Sequence, residues 1–346
     1  MLTNRNDQNT ELTTTEAMQE AGKAANTHAA KAAFADYQGR KSGNTTRRQT
    51  ADLACFAEYL SAVGVVPGDL VNEPETWRGV TWGLVAAFVK WQLSKGYVIG
   101  SINVRLATVK SYAKLATQAG TLDATEYAMI TTVKGYSHKE AVNIDQDRQA
   151  ADVDTRKGIK KADAVSITPT QAKALMTYPN TPQGRRDSFL MSIMLEHGLR
   201  VGEVALLTVT AFDMTAGTFT FYRPKVGKTQ THRMTQKTLK AAKAYFDNDA
   251  PVMGCVWRGS LKGEAGKLTN DGMSERAITA RVRDLGAVVG LVGLSAHDLR
   301  HYWATQAARN GTPIDRLQDA GGWSSPAMPM RYIEAAKVAN EGVRLE

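Results

Sequence analysis

The chain has 346 residues, 43% of them hydrophobic and 22% charged, and it carries a formal net charge of +9. This length suffices for two domains with separate cores. No stretch reaches the roughly 20 apolar residues that a membrane-spanning helix needs, so we expect a soluble, cytoplasmic protein. The two cysteines, Cys55 and Cys255, are too few and too far apart for a disulfide framework or a zinc cluster. The basic excess lies after residue 100 and favours nucleic acid as the partner.

The first part of the chain has a polar start followed by helical patterns. Residues 1–26 are rich in Thr, Asn, Gln and Glu, which predicts a flexible N-terminal tail. Over residues 27–140, apolar side chains recur at helical spacing in four segments, without strand-like alternation. These segments begin near Asn44, Thr81, Ser101 and Ala124. We therefore predict a small all-helical domain over residues 27–140.

Apolar residues become sparse ahead of the second half of the chain. Residues 141–164 include the basic run RKGIKK at positions 156–161, and this shift in composition is typical of a domain boundary. We predict a basic interdomain linker over residues 141–164. Two interpretations of the basic run stay open, a solvated linker and a connector that crosses a phosphate backbone.

Residues 165–346 are predicted to form a second domain that is mostly helical. Thr168 and Pro169 have the pattern of a helix start, and a helix over residues 186–197 ends at Gly198. The apolar period then changes, and segments 218–222 and 231–234 flank a turn-like PKVGKT, which predicts a small antiparallel hairpin or three-stranded sheet. Further helices are predicted over residues 237–246, 273–289, 299–309, 314–320 and 328–339.

Two candidate sites for chemistry surround the predicted hairpin. Arg200 and Glu203 lie three residues apart at a predicted helix start, so the carboxylate can orient or neutralise the guanidinium group. Lys225 and Lys228 lie in the hairpin turn, where a long ammonium side chain can reach a ligand. Taken alone, these features are typical of a surface ion pair and of solvated lysines.

Two further candidate sites lie towards the C-terminus. His297 and Arg300 are three residues apart, which places them on one side of a helix. A Gly-Gly-Trp sequence with Trp323 ends the next predicted helix, and Tyr332 follows this tryptophan by nine residues. Taken alone, a tyrosine at such a position is typical of a packing residue.

In their order along the chain, these five motifs resemble the tyrosine recombinase, or phage integrase, family over residues 168–346. The Gly-Gly-Trp sequence is the Cre-like variant of a motif in which family members commonly have His. The N-terminal helices resemble the family's core-binding domain more loosely. The resemblance implies a mainly α fold, with a helical core-binding (SAM-like) domain and a mostly α catalytic domain that contains a small antiparallel β-sheet.

The resemblance also implies a site-specific recombinase that breaks and rejoins duplex DNA through a 3′-phosphotyrosyl intermediate and a Holliday junction. Tyr332 is the implied nucleophile, and Arg200, Arg300 and Trp323 are the implied phosphate ligands. His297 is implied either to hydrogen-bond the phosphate or to help take the tyrosine proton. Such a reaction needs positive groups where charge grows on the phosphoryl oxygens, and guanidinium groups suit that task. The ester energy is kept in the phosphotyrosyl bond, so the resemblance implies no ATP, metal or other cofactor.

The resemblance assigns the role of general acid to a hairpin lysine, which protonates the departing 5′ oxygen. We choose Lys225 because it precedes Arg233 by eight residues, the spacing at which the family's lysine precedes a proline. This chain has Arg233 in place of that proline, so Lys228 stays an alternative. Glu203 is expected to support the site, and His301 is expected to be structural.

Further expectations concern the partners, which the resemblance implies to be double-stranded DNA target sites and other copies of the chain in a tetramer on two sites. The tail after Tyr332 has an apolar face over residues 335–339, which either docks on a neighbouring subunit or folds back on its own domain. We assign further DNA contacts to basic residues of the first domain and the linker: Arg47, Arg48, Arg105, Lys110, Arg156, Lys157, Lys160 and Lys161.

Two other functions compete with recombination in a mobile genetic element. A type IB topoisomerase uses the same residue types to form a 3′-phosphotyrosine, but Gly-Gly-Trp and the helical N-terminal domain favour a recombinase. A DNA-binding protein without catalytic activity is the second alternative. The presence of every catalytic residue type favours an active enzyme.

Overall fold

The computed structural model describes residues 13–157, 164–261, 264 and 266–336. The chain divides into two compact units, Met1–Lys160 and Lys161–Glu346. Across the described ranges, no helix combines the length and the apolar composition needed to cross a membrane. Helices are the main secondary structure of both units, in agreement with the mainly α prediction.

The first unit contains six α-helices and one short 3-10 helix within its described residues. Side-chain oxygens of Ser42, Thr81 and Asp123 accept backbone N–H groups at the starts of three helices, so local capping sets where these begin. The elements are α1 (Thr14–Gly39), α2 (Gly43–Ala62), the 3-10 helix Pro74–Trp77, α3 (Trp82–Ser94), α4 (Ile99–Gln118), α5 (Ala124–Thr132) and α6 (His138–Ala150).

The structure differs from the sequence-based prediction at both ends of this unit. Helix α1 covers residues 14–26, where a flexible tail is predicted, and α6 covers residues 141–150, where the linker is predicted. Each begins with a capping box, Thr13 with Glu16 and Ser137 with Glu140, in which side chains and backbone N–H groups bond reciprocally. Capping and helix propensity thus outweigh the lack of apolar residues. Residues 1–12 of the predicted tail and 158–163 of the predicted linker lie outside the described residues.

An aromatic cluster forms the core of the first unit. Phe56, Trp77, Phe88 and Tyr112 are completely buried, and the Phe56 and Phe88 rings lie 5.0 Å apart edge to face. The indole N–H of Trp77 donates to the backbone carbonyl of Leu70 at 3.0 Å, so the buried polar group is satisfied. These helices therefore close on their own core, independently of the second unit.

The second unit is built around one buried helix, α8, which packs against α10 and α12. Its described helices are α7 (Pro169–Leu175), α8 (Pro182–His197), α9 (Val201–Ala205), α10 (Gln236–Phe246), α11 (Glu275–Val288), α12 (Ala296–Arg309), α13 (Ile314–Gly321) and α14 (Ala327–Ala336). Its strands are β1 (Phe212–Asp213), β2 (Thr218–Arg223), β3 (Lys228–Arg233), β4 (Arg258–Ser260) and β5 (Leu268–Gly272).

The predicted antiparallel sheet is present in the order β1-β2-β3. Arg223 pairs with Lys228, which leaves residues 224–227 as the turn and confirms the predicted hairpin. A second hairpin, β4–β5, is not predicted, because these short strands carry no alternating apolar pattern. Of the connection between β4 and β5, residues 262, 263 and 265 lie outside the description.

A glycine at the end of α8 turns the chain towards the site described below. Gly198 has a φ of +61°, and a Cβ atom there would lie 2.2 Å from the ring of Trp303. Both the left-handed backbone and the close approach require glycine. The turn places Arg200 at the start of α9, next to the C-terminal helices α12 and α13.

Candidate active site

Arg200 and Glu203 form a reciprocal pair at the start of α9. The Glu203 carboxylate accepts the backbone N–H of Arg200 at 2.8 Å and its Nη1 at 2.8 Å. Glu203 is buried, whereas the Arg200 side chain remains 26% exposed. The carboxylate therefore orients the guanidinium group at the edge of a cleft, as the three-residue spacing predicts.

Arg300 lies on α12 with its side chain almost completely buried. It donates to the carbonyls of Gly198 and Gly321, each at 2.6 Å, and its Cζ lies 4.5 Å from the ring centroid of Trp323. Burial lowers the pKa of Arg300 to about 10, and the nearby Arg200 adds to this effect. The charge of Arg200 thus acts on Arg300, and two neighbouring positive groups make a position suited to an anion.

The Gly-Gly-Trp sequence forms the turn after α13. Gly322 has a φ of +59°, and its carbonyl accepts from Arg200 Nη2 at 3.4 Å. The half-buried Trp323 stacks on Trp303, with ring centroids 6.0 Å apart. The turn thereby joins the two arginines, since neighbouring carbonyls of the same turn accept from each of them.

Tyr332 lies on α14 and is buried in its own subunit, 4% exposed. Its ring centroid is 5.6 Å from that of Trp323 and 5.1 Å from that of His301. Burial raises the pKa of Tyr332, while Arg300 and other nearby arginines act in the opposite direction. Tyr332 and Arg300 thus both contact the ring of Trp323, and the role of Tyr332 as nucleophile stays a prediction.

His297 and His301 lie one turn apart on α12. Their Nε2 atoms are 2.9 Å apart, within hydrogen-bond distance, and His297 is the more exposed of the two. Burial lowers the pKa of His301, and His297 lowers it further. The structure thus gives His301, which the sequence analysis treats as structural, contacts with both His297 and Tyr332.

The two hairpin lysines have different surroundings. Lys225 lines a cleft of about 360 Å³ together with Arg200, Trp323 and Met328. Lys228 starts β3, and its Nζ forms an ion pair with Asp319 at 2.7 Å. Lys225 is therefore the lysine that shares a cleft with the first arginine.

Arg223 belongs to this region and is missed by the sequence analysis. Its side chain is fully buried and donates to Glu203 Oε2 at 2.8 Å. A signal for it does exist, because Phe219 and Phe221 alternate with polar residues along β2, and Arg223 is the next position on their buried face. An arginine at a buried strand position requires partners from elsewhere in the chain.

The basic residues assigned to DNA contacts lie on α2, on α4 and after α6. On α2, Arg47 bonds to Asn44, and Arg48 forms an ion pair with Asp52 at 2.5 Å. On α4, Lys110 donates to the carbonyl of Thr131 at 2.9 Å. All these side chains keep some exposure, which leaves the assignment a prediction.

One aromatic ring brings two more of these residues together. The Arg105 guanidinium lies 4.1 Å from the ring centroid of Tyr97, and the Lys157 ammonium lies 4.9 Å from it. Arg156 is exposed. Lys160 and Lys161 lie outside the described residues. Among the residues that the structure covers, no group of three or more His, Cys, Asp or Glu side chains is arranged to hold a metal ion.

Comparison with known proteins finds one family model that matches most of the second unit. The family model described as "Phage integrase family" matches residues 166–338, half of the chain. Tyrosine recombinase XerD of Neisseria meningitidis serogroup B is 29% identical over 189 residues, which cover 51% of this chain and 60% of that protein. The match therefore spans less than two thirds of this XerD. Tyrosine recombinase XerC of Roseiflexus sp. is 22% identical over 301 residues, covering 84% of this chain and 82% of XerC.

Solved structures share the fold over most of the chain. A lambda integrase fragment, solved as a dimer bound to a COC′ core site, superposes with a TM-score of 0.62 at 12% identity, covering 90% of this chain and 96% of that one. The Tn1549 transposon integrase in complex with transposon right end DNA gives a TM-score of 0.59 at 14% identity, with 88% and 94% covered. At these identities the likeness concerns the fold alone.

Proposed function

This chain belongs to the phage integrase family, and from that premise we propose that it is a site-specific DNA recombinase with Tyr332 as its nucleophile. It cuts and rejoins duplex DNA through a 3′-phosphotyrosyl intermediate and a Holliday junction, without ATP or a metal ion. One observation carries the proposal: Tyr332 packs on Trp323, which also stacks on the guanidinium of Arg300, all within one subunit. The proposed nucleophile and the Arg300 guanidinium group thus contact the same indole ring.

The two arginines supply the phosphate site. Arg200 and Arg300 donate to neighbouring carbonyls of one turn, and a phosphate between them would offset the repulsion that Arg200 exerts on the charged form of Arg300. Planar guanidinium groups match the geometry of non-bridging phosphate oxygens, where negative charge grows during the transfer. We assign Trp323 to donate its indole N–H to an oxygen while it packs against Arg300.

Burial of Tyr332 has a consequence for the proton. The ordinary pKa of tyrosine is about 10 and burial raises that of Tyr332 further, so the phenol is protonated at neutral pH and needs a base. We assign this task to the His297–His301 pair, of which His301 contacts the tyrosine ring. The Tyr332 oxygen bonds to phosphorus as its proton passes to a histidine.

The departing group needs a proton from the other side of the site. As the bond between phosphorus and the 5′ oxygen breaks, Lys225 donates a proton to that oxygen and leaves a free 5′ hydroxyl. The exposed Lys225 shares its cleft with Arg200, whereas Lys228 is paired with Asp319. This difference supports Lys225 over Lys228.

The proposed partners follow from the chemistry and from the relatives. The phosphotyrosyl ester keeps the energy of the broken bond, so a 5′ hydroxyl from another strand can reverse the step. The lambda and Tn1549 integrase structures contain DNA, which supports double-stranded DNA as the substrate. We propose a tetramer on two target sites, a catalytic domain over residues 165–346 and DNA contacts from the helical first unit. A protein acting on DNA in a bacterial host would lie in the cytoplasm, on the nucleoid.

A trapping experiment tests the proposal. A target site is first selected from a random duplex library by binding to the Tyr332→Phe variant, which keeps the ring and loses the nucleophilic oxygen. A version of that site, nicked so that the short 5′ end diffuses away, should trap the wild-type protein as a covalent adduct. Tyr332→Phe should lower adduct formation by at least about 10⁴-fold.

The nicked site and a plasmid relaxation assay together separate the alternative functions. A DNA-binding protein without catalytic activity forms no adduct in the wild type. A type IB topoisomerase relaxes plasmids that lack the selected site and yields no recombinant product. An adduct that persists in Tyr332→Phe contradicts the assignment of the nucleophile.

A further inference from the structure

We infer that Arg223 is a positioning residue, which holds the hairpin turn carrying Lys225 against the turn that carries Trp323. The inference rests on the proposed function, because it concerns the delivery of the general acid. Arg223 itself is completely buried, so it acts through Lys225 and not by touching DNA.

The backbone of Arg223 closes the turn that carries the lysine. Its carbonyl accepts the N–H groups of Val226 at 3.1 Å and of Gly227 at 2.9 Å. Lys225 lies inside this closed loop, two residues after Arg223. A displacement of Arg223 therefore moves Lys225 with it.

The side chain of Arg223 bonds to three separate elements. Its Nη1 donates to Glu203 on α9 at 2.8 Å, and its Nη2 donates to the carbonyl of Ala320 on α13 at 2.6 Å. Its Nε donates to Gln230 on β3, and Gln230 Nε2 donates in turn to the carbonyl of Asp319 at 2.7 Å. One guanidinium group thus joins the hairpin to the helix start that presents Arg200 and to the end of α13.

Close packing at the second turn supports the same conclusion. A Cβ atom on Gly322 would lie 2.5 Å from Arg223 Cδ and 2.8 Å from its Nε. The turn between α13 and Trp323 therefore rests directly on the Arg223 side chain. This contact and the bonds to Ala320 and Asp319 together hold the hairpin against the turn that carries Trp323.

The chemistry of the position argues against a purely structural arginine. Arg223 continues the buried face of Phe219 and Phe221, where an apolar residue would pack without a desolvation penalty. A buried arginine is tolerated when several partners accept its hydrogen bonds in fixed geometry. Here those partners belong to the elements that carry the proposed catalytic groups.

The chain offers a matched control in Arg186 on α8. Arg186 is also fully buried, bonds to a buried carboxylate, Asp187, and donates to a backbone carbonyl, that of Arg258, at 2.6 Å. These contacts lead to the β4–β5 hairpin and not to the lysine turn. Arg186→Lys therefore measures how much the cleavage rate changes when a buried arginine is replaced and the turn with Lys225 is left intact.

The test uses two versions of the nicked site, one with the ordinary 5′ oxygen and one with bridging sulfur at that position. A thiolate leaves without protonation, so the sulfur substrate bypasses the general acid. Lys225→Ala lacks the proposed general acid, so the recovery of its cleavage rate on the sulfur substrate defines full rescue. Arg223→Lys should slow cleavage of the oxygen substrate by about 10²-fold, and it should cleave the sulfur substrate within about threefold of the wild-type rate. Arg186→Lys should change both rates by the same factor.

The outcomes separate this inference from the proposed function. An Arg223→Lys variant that slows both substrates equally, or neither, overturns the positioning role while the wild-type adduct still supports the recombinase. If Arg223→Lys melts below the assay temperature, Gln230→Leu decides the question, because it removes the bond from Arg223 and the bonds to Asp319 but no charge. Gln230→Leu should slow the oxygen substrate selectively, and equal effects on both substrates would overturn the inference. Absence of a wild-type adduct refutes the proposed function itself.

Discussion

The second unit buries two clusters of the same composition, each with one carboxylate between two arginines. In each cluster the carboxylate is buried, one arginine is fully buried and the other is 26% exposed. We call them the Asp187 cluster, formed by Asp187, Arg186 and Arg281, and the Glu203 cluster, formed by Glu203, Arg200 and Arg223.

The clusters differ in what lies next to them. Beside the Glu203 cluster, Arg300 adds a third guanidinium group whose bonds go to backbone carbonyls, and Arg200 opens onto the cleft with Lys225 and Trp323. The Asp187 cluster ties α8 to α11 and to the β4–β5 hairpin. A buried arginine–carboxylate cluster alone is therefore a means of holding elements together. An excess of positive charge at its exposed side is what indicates a phosphate site.

The largest effect should come from neutralising each carboxylate. Glu203→Gln and Asp187→Asn each leave two arginines without their counter-charge, so each should lower the free energy of unfolding by about 3–5 kcal/mol. Only Glu203→Gln should also slow adduct formation per folded molecule, by about 10²-fold, because Arg200 loses its orientation. Urea unfolding and adduct kinetics on the nicked site measure the two quantities. Equal slowing of adduct formation in both variants would show that the Glu203 cluster contributes no more to catalysis than the Asp187 cluster does.

A smaller effect should appear in acid, through a histidine pair beside the Glu203 cluster. Burial lowers the pKa of His197 to about 3 and that of His232 to about 4, and Arg223 contributes to the second shift. Below the ordinary histidine pKa of about 6.5 the unfolded chain binds protons that the folded chain does not. Stability is therefore lost as pH falls, and each histidine should reduce it by about 2 kcal/mol between pH 7 and pH 5.

Urea unfolding of the full chain at the two pH values checks this prediction. His197→Gln and His232→Gln should each reduce the difference in unfolding free energy between pH 7 and pH 5. His138→Gln serves as the control, since His138 is exposed on α6. An unchanged pH dependence in the two buried variants would mean that these histidines are not neutral in the folded state.

The smallest effect should come from the exposed side of the Glu203 cluster. Trp323→Phe keeps a ring against Arg300 and Tyr332 but loses the indole N–H, so adduct formation should slow by about tenfold, the value of one hydrogen bond to a charged group. Trp303→Phe is the matched control, because Trp303 stacks on Trp323 and packs against Gly198. It tests the loss of an indole ring that only packs. Comparable slowing in both variants would assign Trp323 a packing role.

Local patterns in the sequence predict much of this protein. The helix caps Thr81 and Thr168 and the left-handed Gly198 act within a few residues, so they mark helix ends without any knowledge of the fold. The hairpin with Lys225 follows from a period of two on either side of a turn. The order of the motifs predicts Arg200, Arg300 and Tyr332 as one group, and in the fold all three contact the Gly-Gly-Trp turn.

Other features depend on contacts between distant parts of the chain. Arg223 donates to the carbonyl of Ala320, 97 residues further along the chain, and no local sequence pattern predicts that contact. The same holds for the contact of His301 with Tyr332 and for the ion pair of Lys228 with Asp319, on which we base the proposal of Lys225. Residue type and spacing set the local backbone and the available chemistry. Burial and charge pairing depend on distances that arise only when the chain has packed.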